Sequence, residues 1–381
     1  MTRRLKDAAI ILVVTALLFV LLEGTVSTGR TLIRFFSAFN SGPAEQAYSQ
    51  YDEKLGWIQI PNMKLENYYG PGKDLHTNSQ SARGVKEYPR EVEPGKIRML
   101  FSGDSFTHGF GVADDDVWNQ LVAARSSNLE AVNFGHGGYG IGQAYLLYKR
   151  KSKVLDHDIH VFSFITDDFV RARLDKFVGH DKPLLKVESG KLVVTNTPIP
   201  SSAKLLQRWT WNRYILRQLA SLDLALSLKE GFQSSGQMTN EPTEDSGLIG
   251  DSALREVVTA VFADLKNQAD QRGVTLVLAY LPTAFEYSEG GDQPKWRQFL
   301  HTEAARLGIP IFDALPDLRE LKQSQVRSLY IAPEDAFLRG AEGHLNEDGN
   351  RFIADLFYSW LTGLPEFQKQ LKVSVSSKLH K

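Results

Sequence analysis

Cysteine is absent from the 381-residue chain. That removes disulfides, thiolate-ligated zinc, iron–sulfur clusters and a cysteine nucleophile together. It assigns no compartment, although it is compatible with an oxidising one. An excess of one charge is absent too: 44 Lys and Arg face 45 Asp and Glu, a net charge of −1. Binding nucleic acid by bulk charge needs a basic face, so no nucleic-acid partner is expected. No internal repeat is evident. What is present suits a folded protein with a real core, at 42% hydrophobic and 23% charged residues. The length suits one large domain with additions, or two domains.

The N-terminus departs from this average. Ala8 to Leu22 reads AAIILVVTALLFVLL, 15 residues without a charge. A spanning helix needs about 20 apolar residues, and extension to Val26 supplies them at the cost of Glu23. Arg3, Arg4 and Lys6 precede the run, and positive flanks stay cytoplasmic. The expectation is a single-pass anchor, with the remainder periplasmic or extracellular. A cleaved signal peptide and a buried core helix are the rival readings; no small-x-small cleavage site follows Leu22. Thr31 to Phe39 reads as an amphipathic or interfacial continuation.

Tail, anchor and juxtamembrane helix fill residues 1–40. Residues 41–95, rich in Gly, Pro, Asn and Tyr, read as an irregular extension with a few short strands. From Lys96 apolar runs alternate with helical spacing. Strands are expected at Ile97–Ser102, Leu129–Phe134, Ile159–Ile165, Val274–Leu281 and Ile309–Phe312. Helices are expected at Asp115–Ser126, Gly140–Lys153, Asp251–Gly273, Pro294–Leu307 and Gly349–Leu361. This alternation predicts a parallel sheet covered on both faces, as one domain over 96–365. An insert at 176–250 interrupts it. There a hairpin (Leu184–Val187 with Lys191–Thr195), a helix (Trp209–Leu228) and a polar linker (Gln233–Gly247) are expected. Residues 366–381 read as a tail.

In such a sheet ligands bind beyond the carboxyl ends of the strands. After the first strand stands Gly103-Asp104-Ser105-Phe106-Thr107-His108-Gly109. Between a buried strand and a helix, Ser105 projects from a tight turn with its N–H toward a developing negative charge. The plainer reading is a helix-capping serine. After the second strand, Asn133-Phe134-Gly135-His136-Gly137-Gly138-Tyr139-Gly140 has glycines that let backbone N–H groups approach a ligand. After the third, Thr166-Asp167-Asp168 offers acid/base groups, metal ligands or a helix cap. Near the C-terminus, Glu342-Gly343-His344 precedes the last helix. His344 is a candidate general base, and Glu342 could fix its tautomer. His108 and His136 are candidate substrate contacts. His157 and His160 read as surface residues. Trp209, Trp211 and Tyr214 read as core or as a sugar-stacking platform.

Together, in this order, the four motifs resemble the four blocks of the SGNH (GDSL-like) hydrolase superfamily, over about residues 96–175 and 251–362. The resemblance implies a three-layer α/β/α sandwich on a flavodoxin-like, five-stranded parallel sheet, beside one N-terminal transmembrane helix. It implies Ser105 as nucleophile, His344 as general base, and an oxyanion hole from the N–H groups of Ser105 and Gly138. The layout also looks like a membrane-anchored branch linked to envelope polysaccharides, to which the Asn78–Arg83 stretch adds a little. Two positions depart from the pattern. Asp167 replaces an asparagine that donates to the oxyanion, and an ionised carboxylate cannot donate. Glu342 stands for the aspartate before the histidine, with Asp335 a further candidate. Asp104, Asn133, Tyr139 and Asp168 are further candidate substrate contacts. No metal or cofactor is expected.

The function implied is removal of acetyl or another short acyl group from a glycan. The alternatives are an O-acyltransferase, a non-catalytic glycan-binding or assembly protein, and a lipid-cleaving enzyme. Expected partners are an acylated glycan or small ester, the membrane, and other envelope polysaccharide proteins.

Overall fold

The computed structural model describes residues 3–40, 46–177, 180–200, 251–288, 293–338 and 340–379. The chain divides into two units, residues 1–42 with 200–246, and residues 43–199 with 247–381. Among the described residues of the first, helix α1 runs from Arg3 to Asn40. The expected juxtamembrane segment continues it without a break. Its stretch Ile10–Gly29 has a mean hydropathy of 2.4 and the length and composition to cross a membrane.

The second unit is built on five strands: β1 (Ile97–Gly103), β2 (Leu129–Gly135), β3 (Ile159–Phe164), β4 (Thr275–Tyr280) and β5 (Ile311–Asp313). Their order is β2-β1-β3-β4-β5 and every pairing is parallel. Every residue of β1, β2 and β3 is buried, as expected of a sheet covered on both faces. Register shows the two covers. Leu100 of β1 pairs with His160 of β3, and Ser102 with Phe162. His160 stacks on Tyr148 of α4 (Ile141–Lys151), and Phe162 meets Phe262 of α6 (Asp251–Arg272). Phe101 lies between Leu100 and Ser102, so it points the other way. There it meets Trp118 of α3 (Trp118–Ala124) and Phe357 of α8 (Glu347–Thr362). The result is the expected three-layer sandwich.

Strand and helix limits fall within about two residues of expectation, with one difference. The helix expected at Asp115–Ser126 is broken at Val117, which is extended. The new start is satisfied from outside, because Asn350 Oδ1 accepts from Trp118 N at 3.0 Å. The extension holds the few short strands expected of it, and one reading elsewhere needs correction. Ser49–Asp52 pairs with Gly56–Gln59, Lys64–Leu65 pairs with Leu75–His76, and Tyr48, Trp57, Gln59, Tyr69 and Arg83 are buried. His157 and His160 are buried rather than on the surface. Tyr148 OH meets His157 Nε2 at 3.2 Å, and Ser102 Oγ meets His160 Nε2 at 2.7 Å.

The hairpin forms from Leu184–Glu188 and Lys191–Thr195. The helix expected at Trp209–Leu228, with Trp209, Trp211 and Tyr214, and the linker Gln233–Gly247 lie outside the described residues. The expected tail is helical over Pro365–Leu379, and Phe367 is buried.

Candidate active site

The strand order turns back between β1 and β3, and the crevice of an open α/β sheet lies at that point. Ser105 follows β1 directly. It opens α2 (Ser105–His108), whose N-cap Asp104 accepts from the N–H groups of Phe106 and Thr107. Glycine is required on two sides of this turn. A Cβ on Gly103 would stand 2.1 Å from Thr107 Oγ1, and one on Gly135 would stand 2.3 Å from His108 N. The Ser105 turn therefore sits against the ends of β1 and β2 at a depth that side chains would forbid.

In this four-residue helix Ser105 O accepts from Gly109 N at 2.9 Å, while the carbonyls after it lack helical partners. Buried side chains take them up. Trp118 Nε1 donates to Phe106 O at 3.2 Å, and Asn119 Nδ2 to Thr107 O at 2.8 Å. Asn133 Nδ2 donates to Thr107 O at 3.0 Å and His108 O at 3.2 Å. Arg83 Nη1 donates to His108 O and Gly109 O, both at 2.6 Å, and Nη2 to Val112 O at 2.5 Å. Its Nε is paired with Asp114 at 2.9 Å. Asn133 is thus a support of the turn, and Arg83 comes from the extension.

His344 arrives from the other side of the crevice. Its loop is held by main-chain bonds, from Ile331 N to His344 O and from Gly343 N to Ile331 O. Asn346 caps α8 immediately after it, accepting from Gly349 N at 2.9 Å. His344 Nε2 lies 2.8 Å from Ser105 Oγ. The rings of Phe106 and Phe110 stand 4.8 and 5.2 Å from the imidazole. Burial first, and then the charge of Arg171, push the His344 pKa down to about 4. The imidazole is therefore neutral at pH 7 and free to accept a proton. Its Nδ1 is buried and meets no side chain; the backbone oxygens of Ala341 and Glu342 lie close enough to oppose the fall in pKa without completing a well-formed hydrogen bond. Glu342 is exposed and accepts from Gly340 N at 2.8 Å instead. Asp335 is exposed as well and makes no contact with the imidazole.

Among the described residues the N–H groups of Ser105 and Gly138 have no partner. Gly138 has a φ of +73°, and a Cβ there would meet Phe177 at 2.6 Å. Asp167 begins α5 (Asp167–Ala172) and is exposed. The Thr166 hydroxyl is turned inward to Tyr280 and Glu286, so it does not face the crevice as a substitute donor.

Asp168 is buried. It accepts from Ile165 N at 3.1 Å and from Arg171 Nη1 at 2.8 Å. The same nitrogen reaches Asp104 Oδ2 at 3.4 Å and Tyr139 O at 3.2 Å. Burial raises the pKa of both carboxyls; Asp168 goes higher because the charge of Asp104 adds to burial, and Arg171 opposes the rise. This cluster ties the turn after β1 to the turns after β2 and β3. His108 and His136 are fully buried under the extension. His108 meets Gln59 Nε2 at 3.0 Å and Tyr69 OH at 3.3 Å, and His136 stacks on Tyr139 at 4.8 Å. Tyr139 OH donates to Trp57 O at 2.6 Å. So Asp104, Asn133, His108, His136, Tyr139 and Asp168 form the floor beneath Ser105, where their bonds are to protein.

Sequence reasoning missed Arg83, Asn119 and Arg171. Arg171 had one legible signal, its spacing of three from Asp168 on a helix. Arg83 and Asn119 bond to main-chain oxygens and leave no pattern. Among the described residues no group of His, Asp and Glu could hold a metal ion.

No family model matches the chain, and no curated protein matches it. Solved structures do resemble it distantly. One is a member of the lipolytic protein G-D-S-L family from Veillonella parvula, with 14% identity and a TM-score of 0.40, covering 70% of this chain and 100% of that one. An acetyl xylan esterase, AlAXEase, has 14% identity and a TM-score of 0.38, with coverage of 69% and 99%. A lipase/acylhydrolase from Enterococcus faecalis has 13% identity and a TM-score of 0.34, with coverage of 70% and 96%.

Proposed function

We propose that the chain is a membrane-anchored serine esterase of SGNH type, acting outside the cytoplasm to remove acetyl or another short acyl group from a glycan. One observation carries this reading: a neutral His344 lies 2.8 Å from Ser105 Oγ, at the strand-order reversal of the sheet. His344 Nε2 takes the Ser105 proton as Oγ attacks the ester carbonyl. The N–H groups of Ser105 and Gly138 stabilise the oxyanion, a contribution worth roughly 3–4 kcal/mol per donor in related chemistry. His344 then protonates the leaving sugar oxygen. Water, activated by the same imidazole, releases the acid. The pair works as a dyad, since among the described residues no carboxylate reaches His344 Nδ1. The apolar stretch Ile10–Gly29 of α1 supports the anchor, and Arg3, Arg4 and Lys6 before that stretch support export of the remaining chain.

A second reading is favoured by one feature. Ser105 is only 3% exposed, and a site that excludes water suits transfer of the acyl group to a sugar hydroxyl.

The test is hydrolysis of a small acetyl ester by the full chain beside a Ser105→Ala control. A rate lost in the variant supports the assignment; equal rates refute it and leave a non-catalytic glycan binder. Adding glycan acceptors then separates release of acetate from its transfer.

A further inference from the structure

A pocket of about 240 Å³ opens beside the histidine loop, walled by Gly111 and Ala341. Gly111 follows the nucleophile turn closely, and Ala341 stands three residues before His344. The ring of Phe110 lies between Tyr69 on the pocket wall, at 5.0 Å, and His344, at 5.2 Å. The pocket is thus one aromatic ring away from the catalytic pair. It is smaller than the ~300–1,000 Å³ of sites for drug-sized ligands. It has room for one sugar ring and not for an extended chain.

Its lining is divided as a sugar ring is divided. Tyr69, Ile331 and Phe337 supply apolar surface; Lys73, Asp335 and Glu347 supply charge. Phe337 is 62% exposed. One part of its ring lies against Gly70, where a Cβ would come within 3.5 Å of Phe337 Cγ. A single exposed phenyl needs no explanation, but this one is backed by glycine at the lip of a polar pocket. A pyranose has a C–H face that covers such a ring and hydroxyls at its rim that bond to carboxylates. Lys73 and Glu347 pair with each other at 2.5 Å. The Asp335 carboxylate has no partner among the described residues. The lining therefore keeps one unpaired negative charge.

We propose that this pocket is a subsite for a neutral or amino sugar ring next to the acylated one, with Phe337 as stacking platform and Asp335 as hydroxyl acceptor. It rests on the esterase reading for the identity of its neighbour. The unpaired carboxylate works against uronic acids, whose own carboxylate it repels. Asp335, a candidate orienting acid by sequence, is reassigned to recognition.

Saturation-transfer NMR tests this on the full chain, in a detergent without a sugar headgroup. The probes are methyl glucoside, glucosamine and glucuronate. Transfer is expected to the first two and to be weakest for glucuronate. Phe337→Ala should lower affinity about tenfold or more, with the fold checked by circular dichroism. Asp335→Asn should bring glucuronate level with methyl glucoside. Val154→Ser, at an exposed residue elsewhere, should change nothing. Absence of transfer to both methyl glucoside and glucosamine, transfer that survives Phe337→Ala, or a preference for glucuronate overturns the subsite. Ser105→Ala should retain the signal. Sugar binding in a protein that hydrolyses no ester would sink the esterase reading and keep the subsite; hydrolysis without sugar binding would do the reverse.

Discussion

Replacing Arg83 with methionine tests how the Ser105 turn is held. Methionine keeps most of the side chain's length and removes every donor. The Val112 carbonyl then loses the one side-chain donor it has among the described residues. A buried polar group left unpaired costs about 1–3 kcal/mol. The His108 carbonyl retains Asn133 at 3.2 Å, and Gly109 O retains a long bond from Val112 N at 3.4 Å. Each of these loses one bond of about 1 kcal/mol. Asp114 keeps His76 at 2.8 Å, so it is not stranded. The sum is about 3–5 kcal/mol, a large part of the ~5–15 kcal/mol that holds a typical domain together. Urea unfolding of the full chain in detergent, followed by tryptophan fluorescence, reads it as a lowered midpoint at constant slope. Below the new midpoint, labelling of Ser105 by an organophosphonate should slow about tenfold, because small displacements of an attacking atom are costly. A loss of stability under 1 kcal/mol would refute the reasoning and mean that water or the rest of the loop replaces the guanidinium.

Two further outcomes rest on the same geometry. Glu342→Gln should change kcat/KM less than about threefold, since this side chain bonds Gly340 N and leaves His344 Nδ1 alone; a loss approaching that of His344→Ala would place Glu342 on the imidazole during turnover. The acid limb of the pH–rate profile should fall near 4, where His344 takes up its proton, and not near the ordinary 6.5. Stability limits that measurement. His136 and His157 are also held neutral, near 4, mainly by burial. A depressed folded pKa gives stability that is present above 6.5 and is lost as pH falls toward 4, because the unfolded chain takes up protons first. At pH 5 each should cost about 2 kcal/mol. Rates near pH 4 are therefore read in brief jumps from neutral pH, and a limb that stays near 6.5 in such jumps would mean that His344 is well hydrated.

The sheet was legible because its strands are buried on both faces, so runs such as Ile97–Ser102 stand out against polar turns. Ser105 and His344 were legible because each stands in a short motif at the edge of a predictable element, the first strand for one and the last helix for the other. Their supports were not. Arg83, Asn119 and Trp118 act on carbonyl oxygens, and every residue carries one. His160 was read as exposed because a histidine near a strand start is usually wet; only the fold brings Tyr148 and Ser102 to it. The strand pairs of the extension have two to four residues, too few for a period to show. The lack of a carboxylate at His344 Nδ1 depends on where Glu342 points, which spacing alone does not decide.

The two glycines beside the serine turn have a consequence for descent. Ser105 can change to alanine with little disturbance, since its hydroxyl bonds only the imidazole. Gly103 and Gly135 have no such freedom, with neighbours at 2.1 and 2.3 Å from any added carbon. A descendant that lost its chemistry would shed the serine and keep both glycines. Across lineages that diverge from this ancestor, the glycines would record shared architecture, and the serine would record which branches still react.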